Sequence, residues 1–194
     1  YGLSVKLIGK QSPLKFLKAI LPAALNAFGT CSSSATIPLS KQCMEEEMGV
    51  SNQITSIAIP LGATVNMDGT SIMQGVAVIF VAQIFGITLS PSDLVTVIIT
   101  ATLASIGTSG VPSVGLITLA MVFQSVGVPT EGIALIMGID RILDMLRTAV
   151  NITGDAVCTT IVANQEGLVN KETFNSDVTV DNRSEEHTSE LQSH

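Results

Sequence analysis

Within 140–155, reading DRILDMLRTAVNITGD, the residues Asp140, Asp144, Arg147, Asn151 and Asp155 recur at spacings that put them on one helical face, inside an arc of about 80°. Ile, Leu, Met, Val and Ala fill the other faces. Fifteen steps at 1.5 Å carry this polar stripe through about 22 Å, most of a bilayer core about 30 Å thick. Charges at that depth are costly unless they are paired, hydrated or bound to ions. The chemistry on offer is therefore the holding of ions or charged solutes away from water. A solvated face on a soluble helix is the ordinary explanation of such a spacing, and the strongly apolar segments flanking the stripe argue against it.

The composition agrees with the stripe. Of the 194 residues 46% are hydrophobic and 13% charged, with a mean hydropathy of +0.53, which points to an integral membrane protein. The net charge of −7 is concentrated at one end, because 164–194 holds seven acids and two bases while 1–163 holds nine acids and seven bases. Cys31, Cys43 and Cys158 are odd in number and lack metal-ligand spacing, so neither a disulfide framework nor a zinc site is expected. No basic patch for nucleic acid is present. The chain opens at Tyr1 as if in the middle of something and reads as a fragment.

Taken in order, 1–18 is a basic lead with Lys6, Lys10, Lys15 and Lys18, placed on the cytoplasmic side by the positive-inside rule and ending a preceding helix. In 19–49 an apolar run is interrupted over 30–38 by TCSSSATIP, then turns polar, which predicts a first re-entrant hairpin. A spanning helix over 50–88 is broken at Asn66-Met67-Asp68-Gly69-Thr70. A second hairpin over 89–128 tips at Gly107-Thr108-Ser109-Gly110-Val111-Pro112. The polar helix fills 129–164, and an acidic cytoplasmic tail covers 165–182. Residues 183–194, RSEEHTSELQSH, look like a translated sequencing adapter. The predicted fold is an all-α membrane protein: two re-entrant hairpins, each followed by a spanning helix that bears Asn and Asp, arranged as an inverted repeat with its binding site near the midplane.

The Ser-rich first tip, NMDGT, SIGTSGVP and DMLRTAVNITGD, in this order, resemble the dicarboxylate/amino acid:cation symporters, which include the glutamate transporters. The resemblance runs from about Ser12 to Glu166 and covers that family's transport core. It implies sodium-coupled symport of acidic amino acids, no enzymatic activity, a multi-pass location in the plasma membrane, and a homotrimer in a full-length parent whose earlier helices supply the scaffold. It assigns one sodium to the Asp155 carboxylate with carbonyls of Gly62, Asn66 and Asn151. A second goes to carbonyls of Thr64, Ser105, Ile106 and Thr108, and a third to the side chains of Asn66 and Asp68. For the substrate it assigns Arg147 to the side-chain carboxylate, where a guanidinium binds bidentately. Asp144 takes the ammonium with Asn151 and Thr148, Ser33 and Thr70 take the main-chain carboxylate, and Val111 and Gly115 close over it.

One departure concerns Cys31, where many prokaryotic members carry Arg. Members without that Arg often place another beside the substrate Arg, but Met145 stands there; Arg141, one turn earlier, either compensates in part or pairs with Asp140 or lipid headgroups. Within the family, a C4-dicarboxylate or proton-coupled symporter is the alternative, against which Asp144 argues, because a substrate without an amine leaves it unpaired. An intramembrane aspartyl protease would need Asp155 and Asp68 to meet as a dyad, leaving Arg147 and both tips without a task. A channel would explain carbonyls at depth, but no symmetric pore-lining ring is visible.

Overall fold

The structure, a computed structural model, describes residues 1–106, 110, 112–170, 172 and 173. Among these, all regular structure is helical apart from an isolated antiparallel bridge between Val50 and Val169. The helices are α1 (Gly2–Leu7), α2 (Pro13–Thr30), α3 (Ser33–Gln42), α4 (Asn52–Val65), α5 (Asp68–Ile84), α6 (Pro91–Ser105), α7 (Val114–Ser125), α8 (Ile133–Met137) and α9 (Asp140–Gln165).

Their ends follow local chemistry. Pro13 and Pro91 occupy first-turn positions, where a missing N–H costs nothing. Ser90 and Asp93 form a reciprocal capping box at the start of α6. The interruption expected over 30–38 is narrower, confined to Cys31 and Ser32. Cys31 turns into the left-handed region (φ 53°), and Ser32 then caps α3 by accepting from the Ala35 N–H, so the helix restarts at once with Pro38 inside it. Between α4 and α5 the helix is broken at Asn66 (φ −95°, ψ 79°) and Met67 (φ −109°, ψ 47°).

Two apolar clusters divide the packing. One gathers Phe16, Ile20, Met44, Met48, Ile59, Ile152 and Ala156 from α2, α4, α9 and the π-helical turn Cys43–Glu47. The other gathers Val78, Val81, Val97, Leu119, Val122, Phe123 and Ile136 from α5 to α8. The first helix pair packs chiefly on α9, the second chiefly on α5, so each pair leans on the long helix from the other half of the chain.

Polarity runs the reverse of a water-soluble domain. Asp140, Asp144, Arg147, Asn151 and Asp155 are all buried, whereas Leu17, Ile57, Leu61, Ile72, Val76, Ile98, Leu103, Ile117 and Ile142 face outward. An apolar exterior around paired interior charges suits hydrocarbon surroundings. The helical stretch Asn52–Ile84, 33 residues with its break, is long and apolar enough to cross a membrane. Helices α6 and α7, at 15 and 12 residues, reach only about 22 and 18 Å, short of a full crossing. Hydroxyls inside α9 bond their own helix: Thr159 donates to the Asp155 carbonyl at 2.7 Å and Thr160 to that of Ala156 at 2.8 Å, satisfying each hydroxyl without water.

The division of faces has a direct test in two leucines of adjoining helices. Leu119 is fully buried and Leu103 is 66% exposed. Leu119→Ala is expected to destabilise the full-length protein in detergent by about 2–5 kcal/mol, and Leu103→Ala by no more than about 0.5 kcal/mol, in thermal or denaturant unfolding.

Candidate substrate and ion site

The polar face of α9 meets the broken junction of α4 and α5 and the turns of both helix pairs. At its centre lies Arg147. Its Nε donates to Asp144 Oδ1 at 2.9 Å, and Nη1 lies 3.6 Å from Asp140 Oδ1. All three side chains are buried, so the guanidinium is neutralised by two carboxylates one and two turns before it. Gly115 at the start of α7 makes room for this arrangement: a Cβ there would collide with Arg147 Nη1 and lie 2.8 Å from its Cζ. A buried Gln74 holds α7 in place by donating to the Gly115 carbonyl and to Thr118 Oγ1.

Asp144 is fully engaged. Its Oδ1 also accepts from Thr148 Oγ1 at 3.2 Å, and its Oδ2 from the Ser113 N–H at 2.8 Å. Asn151 stitches α9 to the helix break, accepting from the Gly69 N–H at 2.8 Å and donating to Thr70 Oγ1 at 3.3 Å. The two turns also touch each other, because the Gly110 carbonyl accepts from Ser32 Oγ at 2.9 Å and from the Ser34 N–H at 3.3 Å.

Cys31, Ser33, Met67, Thr70, Gly115, Asp144, Arg147, Thr148 and Asn151 share the wall of one cavity with Gly110. Its volume is about 20 Å³, room for about one water.

One turn further along α9, Asn66 Nδ2 donates to Asp155 Oδ1 at 3.0 Å and approaches the Asn151 carbonyl at 3.5 Å. Asp155 Oδ2 is buried without a hydrogen-bond partner. Gly62 backs this carboxylate so closely that a Cβ would lie 2.7 Å from Oδ1. An orphaned carboxylate oxygen beside carbonyls and an amide is a donor set for a hard cation, which takes oxygen ligands. Asp68 Oδ2 and Asn66 Nδ2 both converge on Gly154, where a Cβ would lie 3.0 and 2.5 Å from them. Among the described residues no group of three His, Cys, Asp or Glu comes together, so a cation here would rely on carbonyl oxygens.

The structure thus brings together Ser33, Thr70, Gly115, Asp144, Arg147, Thr148 and Asn151, and separately Gly62, Asn66, Asp68, Asn151 and Asp155. Ser105 is buried with its hydroxyl on the Thr102 carbonyl, whereas Thr64 and Ile106 are exposed. Thr108 and Val111 lie outside the described residues. Asp140 binds Arg147 and Ser113, and Arg141 is exposed and does not line the cavity. The sequence offers Asp140 only as a member of the polar stripe and a candidate partner of Arg141, although its i, i+7 spacing to Arg147 is visible there; Ser113 carries no signal.

Charges sealed inside helices with an apolar exterior define a helical membrane protein. The chain belongs to the sodium:dicarboxylate symporter family, a model of which matches residues 1–165. It is 47% identical over 153 residues to an excitatory amino acid transporter of Caenorhabditis elegans, covering 79% of this chain and 30% of that protein. Identity to excitatory amino acid transporter 2 of Homo sapiens is 43% over 149 residues (77% and 26%), and to excitatory amino acid transporter 1 of Rattus norvegicus 44% over 176 residues (91% and 32%). The chain spans about a third or less of the length of these relatives. Family and relatives are transporters rather than enzymes.

The electrostatics at Arg147 are testable by a double-mutant cycle. Arg147→Leu strands two buried carboxylates and is expected to lower stability by about 3 kcal/mol or more, while Asp144→Leu in the same background restores part of the loss. Strictly additive losses in denaturant unfolding would show that the pair does not interact.

Proposed function

We propose that the whole protein is a sodium-coupled symporter of acidic amino acids, located in the plasma membrane as a homotrimer, and that this chain is its transport core. In this reading α3 with the part of α2 from residue 19 on, and α6–α7, are re-entrant hairpins of 19–49 and 89–128, and 50–88 crosses the membrane with its helix broken at Asn66 and Met67. The polar helix of 129–164 crosses next, and 165–182 is cytoplasmic. The observation that carries the reading is the buried Asp144–Arg147 pair, set with Thr148 and Asn151 in a cavity that Cys31, Ser33, Gly110 and Gly115 also line.

An amino-acid dicarboxylate presents three charges to match. Arg147 exchanges its intramolecular carboxylates for the substrate side chain, Asp144 takes the ammonium with Thr148 and Asn151, and Ser33 and Thr70 hold the main-chain carboxylate beneath Val111 and Gly115. Sodium travels as a co-substrate. The orphaned Asp155 oxygen, with carbonyls of Gly62, Asn66 and Asn151, supplies one site; Asn66 and Asp68 contribute to another. Thr64, Ser105, Ile106 and Thr108 offer carbonyls to a further one. Coupling follows from the layout: Asn151 reaches the Gly69 N–H and Thr70 with its side chain and the Asn66 amide with its carbonyl, so ion ligands and substrate ligands share one residue. A C4-dicarboxylate substrate is the second reading, favoured by the two carboxylates already on Arg147, and opposed by Asp144, which such a substrate leaves without its cation.

A neutral amino acid deprives Arg147 of a partner, a penalty of about 2–5 kcal/mol, or roughly thirtyfold to several thousandfold in affinity. Arg147→Thr in the full-length protein is therefore expected to abolish uptake of aspartate and glutamate and to admit small neutral amino acids. Retained aspartate uptake in a competition assay would refute the assignment. Asp155→Asn removes the ligand charge and is expected to raise the sodium concentration needed for half-maximal uptake by tenfold or more, on the order of 1.4 kcal/mol; an unchanged sodium dependence would remove Asp155 from the ion site.

A further inference from the structure

Gly154 lies one residue before Asp155 on α9, and three polar groups from two other parts of the chain converge on it. A Cβ there would lie 2.5 Å from Asn66 Nδ2, 2.7 Å from Tyr1 Oη and 3.0 Å from Asp68 Oδ2. The glycine therefore leaves a cradle floored by α9 and walled by an amide, a phenol and a carboxylate. Asn66 and Asp68 reach it from the helix break, and Tyr1 is brought by α1, which is held along α9. Val5 is fully buried in the first apolar cluster, a Cβ on Gly9 would lie 3.2 Å from Thr160 Cγ2, and the Ile8 carbonyl accepts from Asn164 Nδ2 at 3.4 Å. The Tyr1 ring is 45% exposed, yet its hydroxyl lies against the buried Gly154 and 3.4 Å from the Val150 carbonyl. Asp68 divides its oxygens: Oδ1 accepts from the Gly69 N–H at 3.1 Å, which leaves Oδ2 for the cradle.

We propose that the cradle over Gly154 seats the monovalent cation that Asn66 and Asp68 bind, and that the Tyr1 phenol oxygen is a further ligand to it. This rests on the sodium reading above and adds to it a ligand and a floor. Oxygen ligands hold a hard cation such as calcium at about 2.3–2.6 Å, so the three groups need to close in by about half an ångström or less. A single carboxylate matches a single positive charge, and the neutral phenol and amide oxygens complete the set without adding charge. The Asn66 amide, whose Nδ2 donates to Asp155 Oδ1, presents its own Oδ1 to the cradle after a half-turn. Glycine is required at 154, because a methyl group would occupy the seat itself.

Thermal unfolding of the full-length protein in detergent, titrated with sodium chloride against choline chloride without amino acid, reads cation binding independently of transport. Gly154→Ala fills the seat and keeps every ligand, whereas Tyr1→Phe removes one hydroxyl and keeps the ring. The sodium concentration for half-maximal stabilisation is expected to rise about tenfold or more in Gly154→Ala and about threefold or more in Tyr1→Phe. Neither rise is expected to add to that of Asp68→Asn, because all three residues act on one ion. Tyr1→Phe, a change on a half-exposed ring, decides the question if Gly154→Ala does not fold. An unchanged sodium dependence in Tyr1→Phe overturns the phenol ligand, and an unchanged dependence in both variants overturns the cradle. Rises that add to that of Asp68→Asn overturn it as well, since they originate away from the ion. Stabilisation by sodium that is weakened in Asp155→Asn but intact in Gly154→Ala and Tyr1→Phe leaves the sodium reading standing and rejects the cradle, whereas a wild type that sodium does not stabilise rejects both.

Discussion

A guanidinium that stays protonated cannot be buried in an apolar surround without anions, and Arg147 fixes much of the arrangement around it. It requires Asp144 and Asp140 on the same face of α9, which sets the spacing of the polar stripe. It requires a glycine opposite, because any side chain at Gly115 would occupy its volume. It also requires that α7 start beside it, which Gln74 and Ser113 secure from two directions.

The division of the chain into two packed halves serves the same end. Each helix pair packs on the long helix of the other half, so neither half can shift without moving the polar face of α9 against the break at Asn66 and Met67. Polar contacts cross that seam beside the apolar packing of Ile59, Ile152 and Ala156: Asn66 to Asp155, Gly69 to Asn151, Asn151 to Thr70. The shared use of Asn151 ties the carboxylate of Asp155 to the wall of the cavity.

The polar stripe was legible because a 3.6-residue period survives in any helix, and burial of Asp140, Asp144, Arg147, Asn151 and Asp155 follows from it once the exterior is apolar. A break was expected over Asn66–Thr70 from a turn signal between two apolar stretches; it is confined to Asn66 and Met67, and Asp68, Gly69 and Thr70 already belong to α5. What a period cannot convey is which turn arrives opposite the stripe. Ser113 reads as a loop residue until α7 brings it to Asp140, and Asp140 reads as a helix-terminal acid until Ser113 and Arg147 meet it. The first turn was drawn too long for a local reason: Ser and Thr within 30–38 read as helix breakers, whereas Ser32 acts as a cap and Pro38 is accommodated inside α3. The π-helical turn over Cys43–Glu47 was hidden because its acids suggested an exposed exit, while Cys43 and Met44 are fully buried in the first core.

The central claim is that one polar helix face couples a cation to an acidic amino acid. Uptake of radiolabelled aspartate and of succinate by the full-length protein in liposomes, with and without an inward sodium gradient, tests it most directly. The account predicts aspartate accumulation that depends on the gradient and succinate uptake at background. Succinate accumulation equal to that of aspartate, or aspartate uptake indifferent to sodium, would contradict it.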